Sequence, residues 1–524
     1  MFKTKFQTVF TLLISFLLIS QAAAAAHFKI IHTSDTHGHH FDKQVTWDSK
    51  NKNKTTGGFA SLASAKGYYG AILLDSGDWA SGNYEVNNSG GLDAVKVMNA
   101  LGYTATTVGN HEFDIGEKAL IKAIKSFKFP VLNTHICQKD IKDKCKLLPG
   151  TKPYITFKAD GAKVLVVGFG KTGPGAKNYE ERNPVEEFEK ILPKIQKEKA
   201  DYVILMMHDS IADVRKPSVI MPVVQKYPDM FDLVIGGHAH KTINKQVEAK
   251  KLGFDYENLL FVESSEYLKG FTLIDVNVEP GTKNTTAKFE FLYTNDFPHD
   301  PKIYALTESY RNKDLDEQAG VVKETITKYS KSKKNVDSPM ANMMADEIKA
   351  FAEKEFNTKI DFGIFNTPGV RMDLPAGPIT GRTITEMYPY HEVIALTKVT
   401  GAFLKAVVEN GLKDTQSIFE YSGLNVKYKY KGTDQNGTPH SVVIEDAGGN
   451  ELVDQKLYTI AGTANILDGN YECYIFKENV QPIQYSKTDT MDLLYERVKK
   501  DTEEKGGVDL KGINSGRIVR TDKK

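Results

Sequence analysis

Short apolar runs alternate with amphipathic segments from His27 to about Asp296, and this alternation predicts the first folded unit. Six of the runs have the length and the β-branched and aliphatic content of buried strands: FKIIHTSD, AILLDSGD, TATTVGNHE, KVLVVGFG, YVILMMHD and FDLVIGGHAH. Between them, segments such as GGLDAVKVMNALG place apolar residues at helical spacing and end at a glycine. Strands and helices in alternation predict an α/β domain.

The pattern changes between Lys302 and Asp337, where charged residues dominate and only a thin apolar stripe remains. Such a stripe is typical of a solvated helix that joins two domains, and a surface helix within one domain is the alternative. A second α/β segment follows, with its own apolar runs: IDFGIFN, VIALTKVTGAFLKAVVENG, GLNVKYKY and KLYTIAGTANIL. At 524 residues the chain is too long for one ordinary core. We therefore predict a domain over 27–300, a linker helix over 301–337 and a smaller α/β domain over 338–524.

The N-terminal residues have the composition of a secretory signal peptide, which we predict over residues 1–26. Lys3 and Lys5 precede an apolar stretch over residues 9–19, and an alanine run with a small-residue cleavage site follows. The alternative is an uncleaved membrane anchor, but the stretch is shorter than the ~20 residues that span a bilayer. We expect cleavage near Ala26, a secreted protein in the periplasm or outside the cell, and no stable membrane anchor.

The balance of charges bears on which class of molecule the protein binds. The chain has 68 basic and 67 acidic residues, a net charge of +1, which argues against the basic footprint of a nucleic-acid-binding protein. We expect a small-molecule substrate and no nucleic acid polymer.

Cys137 and Cys145 lie eight residues apart in a polar segment and can form a disulfide in an oxidising compartment, with two surface thiols as the alternative. Cys473 is left over.

Five predicted strands of the first unit end in polar side chains that can bind metal ions. These side chains are Asp35 and His37, Asp78, Asn110 and His111, His208, and His238 and His240. Taken singly, each is more often a turn, a cap or a core histidine than a ligand. The carboxyl ends of strands in an α/β sheet face one crevice, so we expect the whole set to converge there. With His111 set aside, the set suits two divalent ions that share a carboxylate.

The order D-x-H, G-D, G-N-H-E, H, G-H-x-H resembles that of the calcineurin-like metallophosphoesterases. The stretch GLDAVKVMNALGYTATTVGNHEFDIG resembles the secreted 5′-nucleotidase family, which includes UDP-sugar hydrolase and 2′,3′-cyclic-nucleotide phosphodiesterases. NTPGVRMDLPAGPITGRTITEMYPY is similar to the C-terminal signature of that family. The resemblance implies a four-layer α/β/β/α domain followed by a smaller α/β substrate-binding domain, which rotates to bring the substrate to the metals.

The same resemblance implies a role for each strand-end side chain. One ion is held by Asp35, His37 and His240, a second ion by Asn110, His208 and His238, and both ions by Asp78. The large proportion of histidines among these ligands favours Mn, Zn or Co, with Mg as a further candidate. Water bound to two such ions loses a proton near neutral pH and becomes the nucleophile for phosphoryl transfer.

The resemblance assigns His111 a role other than metal binding, because its counterpart in the family faces the phosphate and the leaving oxygen. Asp114 lies three residues further on and can orient His111 and keep it protonated. We predict a catalytic pair of His111 and Asp114, with a structural role for His111 as the alternative. Glu112 is expected to cap or brace the turn.

The predicted substrate-binding residues are Arg371, Asn366, Phe419 and Tyr471. Arg371 matches the phosphate-contacting arginine of the family, and a surface salt bridge is the alternative. The chain departs from the family where two aromatic rings clamp the nucleobase, since Ile418 and Ile466 occupy those positions. Nearby rings can stack in their place or belong to the core, namely Phe419, Tyr421, Tyr471 and Tyr474.

The first functional interpretation is a secreted dinuclear 5′-nucleotidase that hydrolyses nucleoside 5′-monophosphates, with UDP-sugars and cyclic nucleotides as further substrates. The second is a phosphomonoesterase or phosphodiesterase for a non-nucleotide phosphoester. The third is a surface-binding protein that keeps a hydrolase scaffold without its activity, and the complete ligand set argues against it.

Overall fold

The computed structural model describes residues 25–42, 55–141, 144–211, 217–247, 259–282, 284–413, 418–431, 438–513 and 516–523. The predicted signal peptide lies outside the described residues, except for Ala25 and for Ala26, which begins the first strand. None of the helices in the described part of the chain has the length and hydropathy that crossing a membrane requires.

Two mixed sheets form the centre of the first part of the chain. Its strands are β1 (Ala26–Thr33), β2 (Ile72–Asp75), β3 (Ala105–Thr107), β4 (Val131–Leu132), β5 (Ile136–Gln138), β6 (Thr151–Lys152), β7 (Tyr154–Ala159), β8 (Ala162–Phe169), β9 (Tyr179–Glu181), β10 (Tyr202–Met207), β11 (Leu233–Gly236), β12 (Thr242–Val247), β13 (Leu259–Ser264), β14 (Gly270–Val278) and β15 (Thr285–Tyr293). One sheet has the order β15-β14-β1-β2-β3-β4-β6 and the other β12-β13-β11-β10-β8-β7, while β5 pairs with β9.

Helices cover the outer faces of these two sheets. They are α1 (Gly58–Tyr69), α2 (Tyr84–Asn88), α3 (Leu92–Leu101), α4 (Glu117–Ser126), α5 (Pro184–Glu198), α6 (Met221–Lys226) and α7 (Pro301–Glu308). Along β1, Ile30 faces the core between the sheets, while Ile31 faces the core that α1, α3 and α4 share with the first sheet. Phe188 and Val223 of α5 and α6 pack on the second sheet. Inner strands such as β8 and β10 are apolar on both faces for this reason, whereas the edge strands β7 and β15 alternate with exposed residues. The predicted α/β/β/α layering is confirmed.

The second part of the chain forms its own sheets. Its strands are β16 (Gln318–Val322), β17 (Phe362–Asn366), β18 (Gly377–Thr380), β19 (Val393–Thr400), β20 (Phe419–Ser422), β21 (Leu424–Lys431), β22 (Thr438–Asp446), β23 (Leu457–Thr463), β24 (Gln484–Asp489) and β25 (Ile518–Arg520). Its helices are α8 (Pro339–Glu355), α9 (Gly381–Met387), α10 (Gly401–Gly411), α11 (Ala464–Leu467) and α12 (Thr490–Lys505). A five-stranded sheet of order β20-β17-β23-β19-β24 is accompanied by β22-β21-β25 and by the pair β16-β18.

The predicted linker helix over 301–337 is wrong. Only α7 at its start is an α-helix, and its Ile303 packs into the core of the first part. The strand β16 then pairs antiparallel with β18, so residues from Gln318 onward belong to the second part. Apart from Lys302 and Glu308 on α7, the charged residues of this segment lie in a short 3-10 helix (Lys313–Asp316) and in loops, where charge and solvent exposure do not require an α-helix.

The predicted disulfide is confirmed. Cys137 on β5 and Cys145 are bonded, with their Cα atoms 5.1 Å apart. The bond closes the loop that follows β5, and Cys137 is fully buried. The alternative of two surface thiols is therefore excluded. Cys473 is a buried free thiol.

Candidate metal centre

Strand ends from both sheets of the first part meet at one site. The first sheet contributes the residues that follow β1, β2 and β3, namely Asp35, His37, Asp78 and Asn110. The second sheet contributes the residues that follow β10 and β11, namely His208, His238 and His240. The predicted convergence is therefore present, but the crevice lies at the joint edge of two stacked sheets and not at the edge of one.

Unusual backbone geometry marks five of these residues. Asp35, His37, Asp78, His238 and His240 have φ values of 52°, 46°, 56°, 80° and 56°. This left-handed region is unfavourable for residues with a Cβ and persists where the surrounding structure imposes it, most often at functional sites. It turns the chain sharply after each strand and directs the side chains into the crevice.

The first group of candidate ligands consists of Asp35, His37 and His240, whose ligand atoms lie within 4.8 Å of one another. Nε2 of His37 is 3.1 Å from Nε2 of His240, which is 3.6 Å from Oδ1 of Asp35. Nδ1 of His37 lies 2.7 Å from the carbonyl oxygen of Ser81 and donates to it. The lone pair of Nε2 therefore faces the group, as in a metal-binding imidazole with a carbonyl behind it.

The second group consists of Asp78, His208 and His238, again with ligand atoms within 4.8 Å of one another. Oδ2 of Asp78 is 3.1 Å from Nε2 of His208, and it is 3.7 Å from Nε2 of His37 in the first group. Nδ1 of His208 donates to the carbonyl oxygen of Ser76 at 2.7 Å. Asp78 thus lies between the two groups, as a shared ligand must.

The donor set fits two divalent cations. Oδ1 of Asn110 is buried and has no hydrogen-bond partner among the described residues, which is costly for a polar atom unless a ligand completes the site. Burial lowers the pKa of His37 and of His240 well below the usual range, so both rings are neutral and can ligate. Burial also raises the pKa of Asp35 well above its usual value, and only nearby positive charge can keep that carboxylate ionised. Neutral imidazoles and carboxylates suit borderline divalent ions.

His111 and Asp114 form a hydrogen-bonded pair beside this centre. Nδ1 of His111 is 2.6 Å from Oδ2 of Asp114, which also accepts a hydrogen bond from Oγ of Ser81 at 3.0 Å. The backbone N–H of His111 donates to Oδ1 of Asp78 at 3.0 Å, so the pair is fixed to the candidate shared ligand. The ring of His111 lies 5.1 Å from that of His37. The pair therefore lies close enough to act on a group bound at the centre.

Glu112 braces the turn, as predicted. Its carboxylate accepts hydrogen bonds from the backbone N–H groups of Asp78 at 3.0 Å, Ala80 at 2.7 Å and Gly109 at 2.5 Å. Burial raises the pKa of Glu112 well above its usual value. These bonds tie the segment after β2 to the segment after β3 and hold Asp78 in place.

Arg371 reaches the centre from the second part of the chain. Its Nε donates to the hydroxyl of Tyr267 at 3.1 Å, and its Nη2 lies 3.4 Å from Nε2 of His37. Its guanidinium carbon is 5.9 Å from the centre of the Tyr390 ring. No carboxylate forms an ion pair with Arg371 among the described residues, which excludes a surface salt bridge there. The arrangement leaves Arg371 suited to an anion at the centre.

One of the two aromatic rings predicted to contact the substrate lies in the core. Phe419 is fully buried, with its ring edge-on to Phe476 at 6.1 Å, so the prediction that it binds substrate is wrong. The apolar pattern around it belongs to the core of the second part, which also contains Tyr421. Ile466 is buried and Tyr474 is exposed at the surface. The side chain of Tyr471 lies outside the described residues.

Asn366 ends β17, and its role in substrate binding stays a prediction. Two aromatic residues near the centre were not predicted. The Tyr267 ring lies 5.5 Å from the ring of His37 and 5.5 Å from that of His240. The Tyr390 ring stacks on His111 at 6.3 Å and 30°. Tyr390 lies inside the C-terminal signature and was open to prediction, whereas the segment SSEYLKG around Tyr267 carries no periodic signal.

Two family models match the chain. Residues 28–242 match the model for calcineurin-like phosphoesterases, and residues 318–478 match the model for the C-terminal domain of 5′-nucleotidases. The matched ranges include the whole candidate centre and Arg371, and together they cover most of the chain.

Similar proteins of known sequence include human 5′-nucleotidase, which is 25% identical over 450 residues, 78% of this chain and 76% of that protein. Endonuclease YhcR of Bacillus subtilis strain 168 is 22% identical over 472 residues, and the match covers 84% of this chain but only 37% of YhcR.

Among solved structures, the 5′-nucleotidase precursor of Thermus thermophilus superimposes with a TM-score of 0.75 at 18% identity, over 95% of this chain and 100% of that one. At this identity the likeness shows a shared fold. Taken with the family matches and the centre described above, it leads to one assignment. The chain belongs to the calcineurin-like phosphoesterases that carry a 5′-nucleotidase C-terminal domain, and it is a phosphoester hydrolase.

Proposed function

We propose that this hydrolase uses two divalent cations to remove phosphate from small phosphoesters, with nucleoside 5′-monophosphates as the first substrate class. The observation that carries the proposal is the pair of ligand groups on either side of Asp78, with Arg371 and His111 beside them. The complete set of side chains, several of them on strained backbone, argues against a hydrolase scaffold that has lost its activity.

Each ion has a proposed ligand set. Asp35, His37 and His240 hold one cation, Asn110, His208 and His238 hold the other, and Asp78 contacts both. When bound, a pair of Mn, Zn, Co or Mg ions neutralises charge on the phosphoryl group and lowers the pKa of a water molecule. The protein fixes the geometry through the carbonyl oxygens behind His37 and His208 and through the carboxylate of Glu112.

His111 and Arg371 are the proposed residues that act on the phosphoryl group. Because Nδ1 of His111 is hydrogen-bonded to Asp114, Nε2 is the atom that gives a proton to the leaving oxygen. Arg371 offers paired N–H donors to two phosphate oxygens, a geometry that lysine cannot reproduce. Both residues lie next to His37, so a single phosphoryl group at the centre can contact both.

Two sets of observations bear on the leaving group. The nucleotide assignment is supported by the match to the 5′-nucleotidase C-terminal model and by the name of the human relative. The second candidate, a non-nucleotide phosphoester, is favoured by the residues at the two clamp positions. Ile466 is buried and Ile418 packs against the same core, while the neighbouring ring of Phe419 is fully buried. For a nucleotide substrate, we expect weak discrimination among bases.

A substrate panel tests the proposal. AMP, UMP, UDP-glucose, 2′,3′-cyclic AMP, glucose 6-phosphate and p-nitrophenyl phosphate are each assayed with Mn, Zn, Co or Mg added. We expect the highest kcat/KM for the nucleoside monophosphates. AMP and UMP should lie within about tenfold of each other, because isoleucines stand at the two clamp positions, where stacking on an aromatic ring is worth about 1–3 kcal/mol. A preference for glucose 6-phosphate supports the second candidate, and no turnover of any substrate contradicts both.

We also propose export by the signal peptide over 1–26 and a division into two domains. The first domain covers residues 27–300, and the second begins at β16 with Gln318, since β16 pairs with β18. N-terminal sequencing of the exported protein tests the cleavage site near Ala26, and limited proteolysis tests the boundary. A mature protein that retains residues 1–26 contradicts the first proposal.

A further inference from the structure

Tyr267 is built into the wall of the metal centre. Its backbone N–H donates to the carbonyl oxygen of Asp35 at 2.8 Å, and its side chain is buried. Its ring lies 4.5 Å from the ring of His39 and 5.5 Å from those of His37 and His240. Tyr267 therefore packs directly on two candidate ligands of the first ion, His37 and His240.

The backbone around Tyr267 is held in an unfavourable conformation. Ser265, Tyr267 and Leu268 have φ values of 62°, 56° and 52°, although none of them is glycine. All three are buried. Such a conformation costs about 1–3 kcal/mol per residue and persists only where the surroundings impose it. The segment thus holds the Tyr267 ring in one place at an energetic cost.

The hydroxyl of Tyr267 joins the two parts of the molecule at the centre. It accepts a hydrogen bond from Nε of Arg371 at 3.1 Å, and Arg371 belongs to the second part of the chain. The guanidinium carbon lies over the Tyr390 ring, 5.9 Å from its centre, and Nη2 is 3.4 Å from Nε2 of His37. A guanidinium can present either its Nε edge or its Nη1–Nη2 end to an anion. Because Tyr267 occupies the Nε edge, the Nη1–Nη2 end is the one left to bind an anion.

We propose that Tyr267 is a positioning residue that fixes Arg371 so that its Nη1–Nη2 end faces the phosphate at the metal centre. The inference rests on the proposed function, in which Arg371 binds phosphate. An arginine side chain has many rotamers, and one fixed orientation reduces the entropy that is lost when phosphate binds. The alternative is that Tyr267 acts through its ring alone, by packing on His37 and His240.

The change Tyr267→Phe separates these two roles, because it keeps the ring and removes the hydroxyl. Inorganic phosphate is titrated calorimetrically into the manganese-loaded enzyme, and p-nitrophenyl phosphate gives KM and kcat. We expect phosphate affinity to fall about tenfold and KM to rise by a similar factor, since a hydrogen bond to a charged group is lost. Metal content, measured by mass spectrometry, stays at the wild-type value. In an Arg371→Ala background, the same change has less than a twofold effect.

Tyr202→Phe is the matched control. Tyr202 is buried in the same domain, and its hydroxyl has no hydrogen-bond partner among the described residues. We expect wild-type phosphate affinity and wild-type KM for this variant. This variant also shows whether removing a buried hydroxyl that does not contact Arg371 perturbs the domain.

Three results would overturn the inference. Wild-type phosphate affinity in Tyr267→Phe shows that the hydroxyl does not position Arg371. A loss of metal in Tyr267→Phe assigns Tyr267 to the wall of the centre alone. An equal loss of affinity with and without Arg371 shows that Tyr267 acts independently of it. In each of these cases the wild-type enzyme remains active, so the proposed function stands. An inactive wild type would instead contradict both the proposed function and this inference.

Discussion

At the residue scale, each candidate ligand is a metal-capable side chain that follows an apolar strand, and five of them have left-handed backbone. These side chains were predictable because each motif places a metal-capable group directly after an apolar run. The sequence shows the order of Asp35, Asp78 and His208 along the chain, and the fold brings them together. Tyr267 was not predictable, because its neighbours have neither helical nor strand periodicity and its position depends on a strained backbone. Phe419 was wrongly assigned because a buried ring and a substrate-stacking ring look alike in sequence.

His111→Ala tests the separation of catalysis from metal binding. We expect both ions to remain bound and kcat to fall by about 10²–10⁴, the usual contribution of a positioned acid. Metal content by mass spectrometry and kcat with AMP are measured on the same preparation. His299→Ala, which removes a histidine paired with Asp42 at the surface, is the control and should behave as wild type. Loss of metal together with activity in His111→Ala speaks against a catalytic role.

His40 gives a pH dependence of stability. Burial lowers its pKa from 6.5 to about 3, so the folded state keeps the ring neutral while the unfolded chain takes up a proton below pH 6.5. The free energy of unfolding therefore falls as the pH drops from 6.5 toward 3, by about 2 kcal/mol at pH 5. Urea denaturation at pH 7.5 and pH 5 measures the loss.

His40→Phe should remove this part of the pH dependence, because the ring already packs on Phe59 at 5.4 Å. His440→Phe is the control, since His440 is exposed and should leave the dependence unchanged. An unchanged pH dependence in His40→Phe contradicts the assignment to His40.

At the scale of elements, the hydrophobic periodicity correctly predicted the strands and the helix α3. It did not predict the structure of the segment between the two parts. The segment 301–337 has the charge of a solvated helix. However, β16 forms because it pairs with β18 about sixty residues further along the chain, which no local pattern reveals. The strand ends were also predicted at one sheet edge, although they belong to two sheets. A local apolar run indicates a buried strand but not which sheet it joins.

Gly109→Ala tests how tightly the ends of β2 and β3 pack. A Cβ on Gly109 would lie 2.1 Å from Oδ1 of Asp78, far inside contact distance. We expect the candidate shared ligand to be displaced and at least one ion to be lost, with activity falling in parallel. Metal titration and circular dichroism distinguish loss of metal from loss of fold.

Gly67→Ala is the matched control, because a Cβ there has no atom within 4 Å. It should keep wild-type metal content and activity. Two bound ions and full activity in Gly109→Ala would show that Asp78 is not fixed by this contact.

At the scale of the whole molecule, a buried ion pair joins the two parts of the chain. Nη1 of Arg382 on α9 is 2.8 Å from Oε1 of Glu85 on α2, and its Nε is 2.7 Å from Oδ1 of Asp316. Beside it, Nδ2 of Asn87 donates to the carbonyl oxygen of Pro389 at 3.0 Å. These contacts hold the part that carries Arg371 against the first part of the chain. Arg382 and Pro389 lie in the C-terminal signature, but the sequence did not indicate their partners Glu85 and Asn87, which lie about 300 residues earlier.

Arg382→Ala is expected to weaken the closed arrangement, because Glu85 is left buried without its partner, a change that costs about 3–5 kcal/mol. We expect a larger radius of gyration by small-angle scattering and a KM raised several-fold, with unchanged metal content. Arg520→Ala removes an arginine that pairs with Asp522 within the second part and serves as control. Identical scattering for wild type and Arg382→Ala would show that this ion pair does not hold the two parts together.

The central claim is that two ions share Asp78, and metal stoichiometry tests it most directly. The purified protein is stripped of metal and titrated with manganese, and bound ions are counted per chain by calorimetry and mass spectrometry. We predict two ions per chain for the wild type, and loss of tight binding at both positions in Asp78→Ala. Fewer than two ions in the wild type, or two ions still tightly bound in Asp78→Ala, would contradict the account.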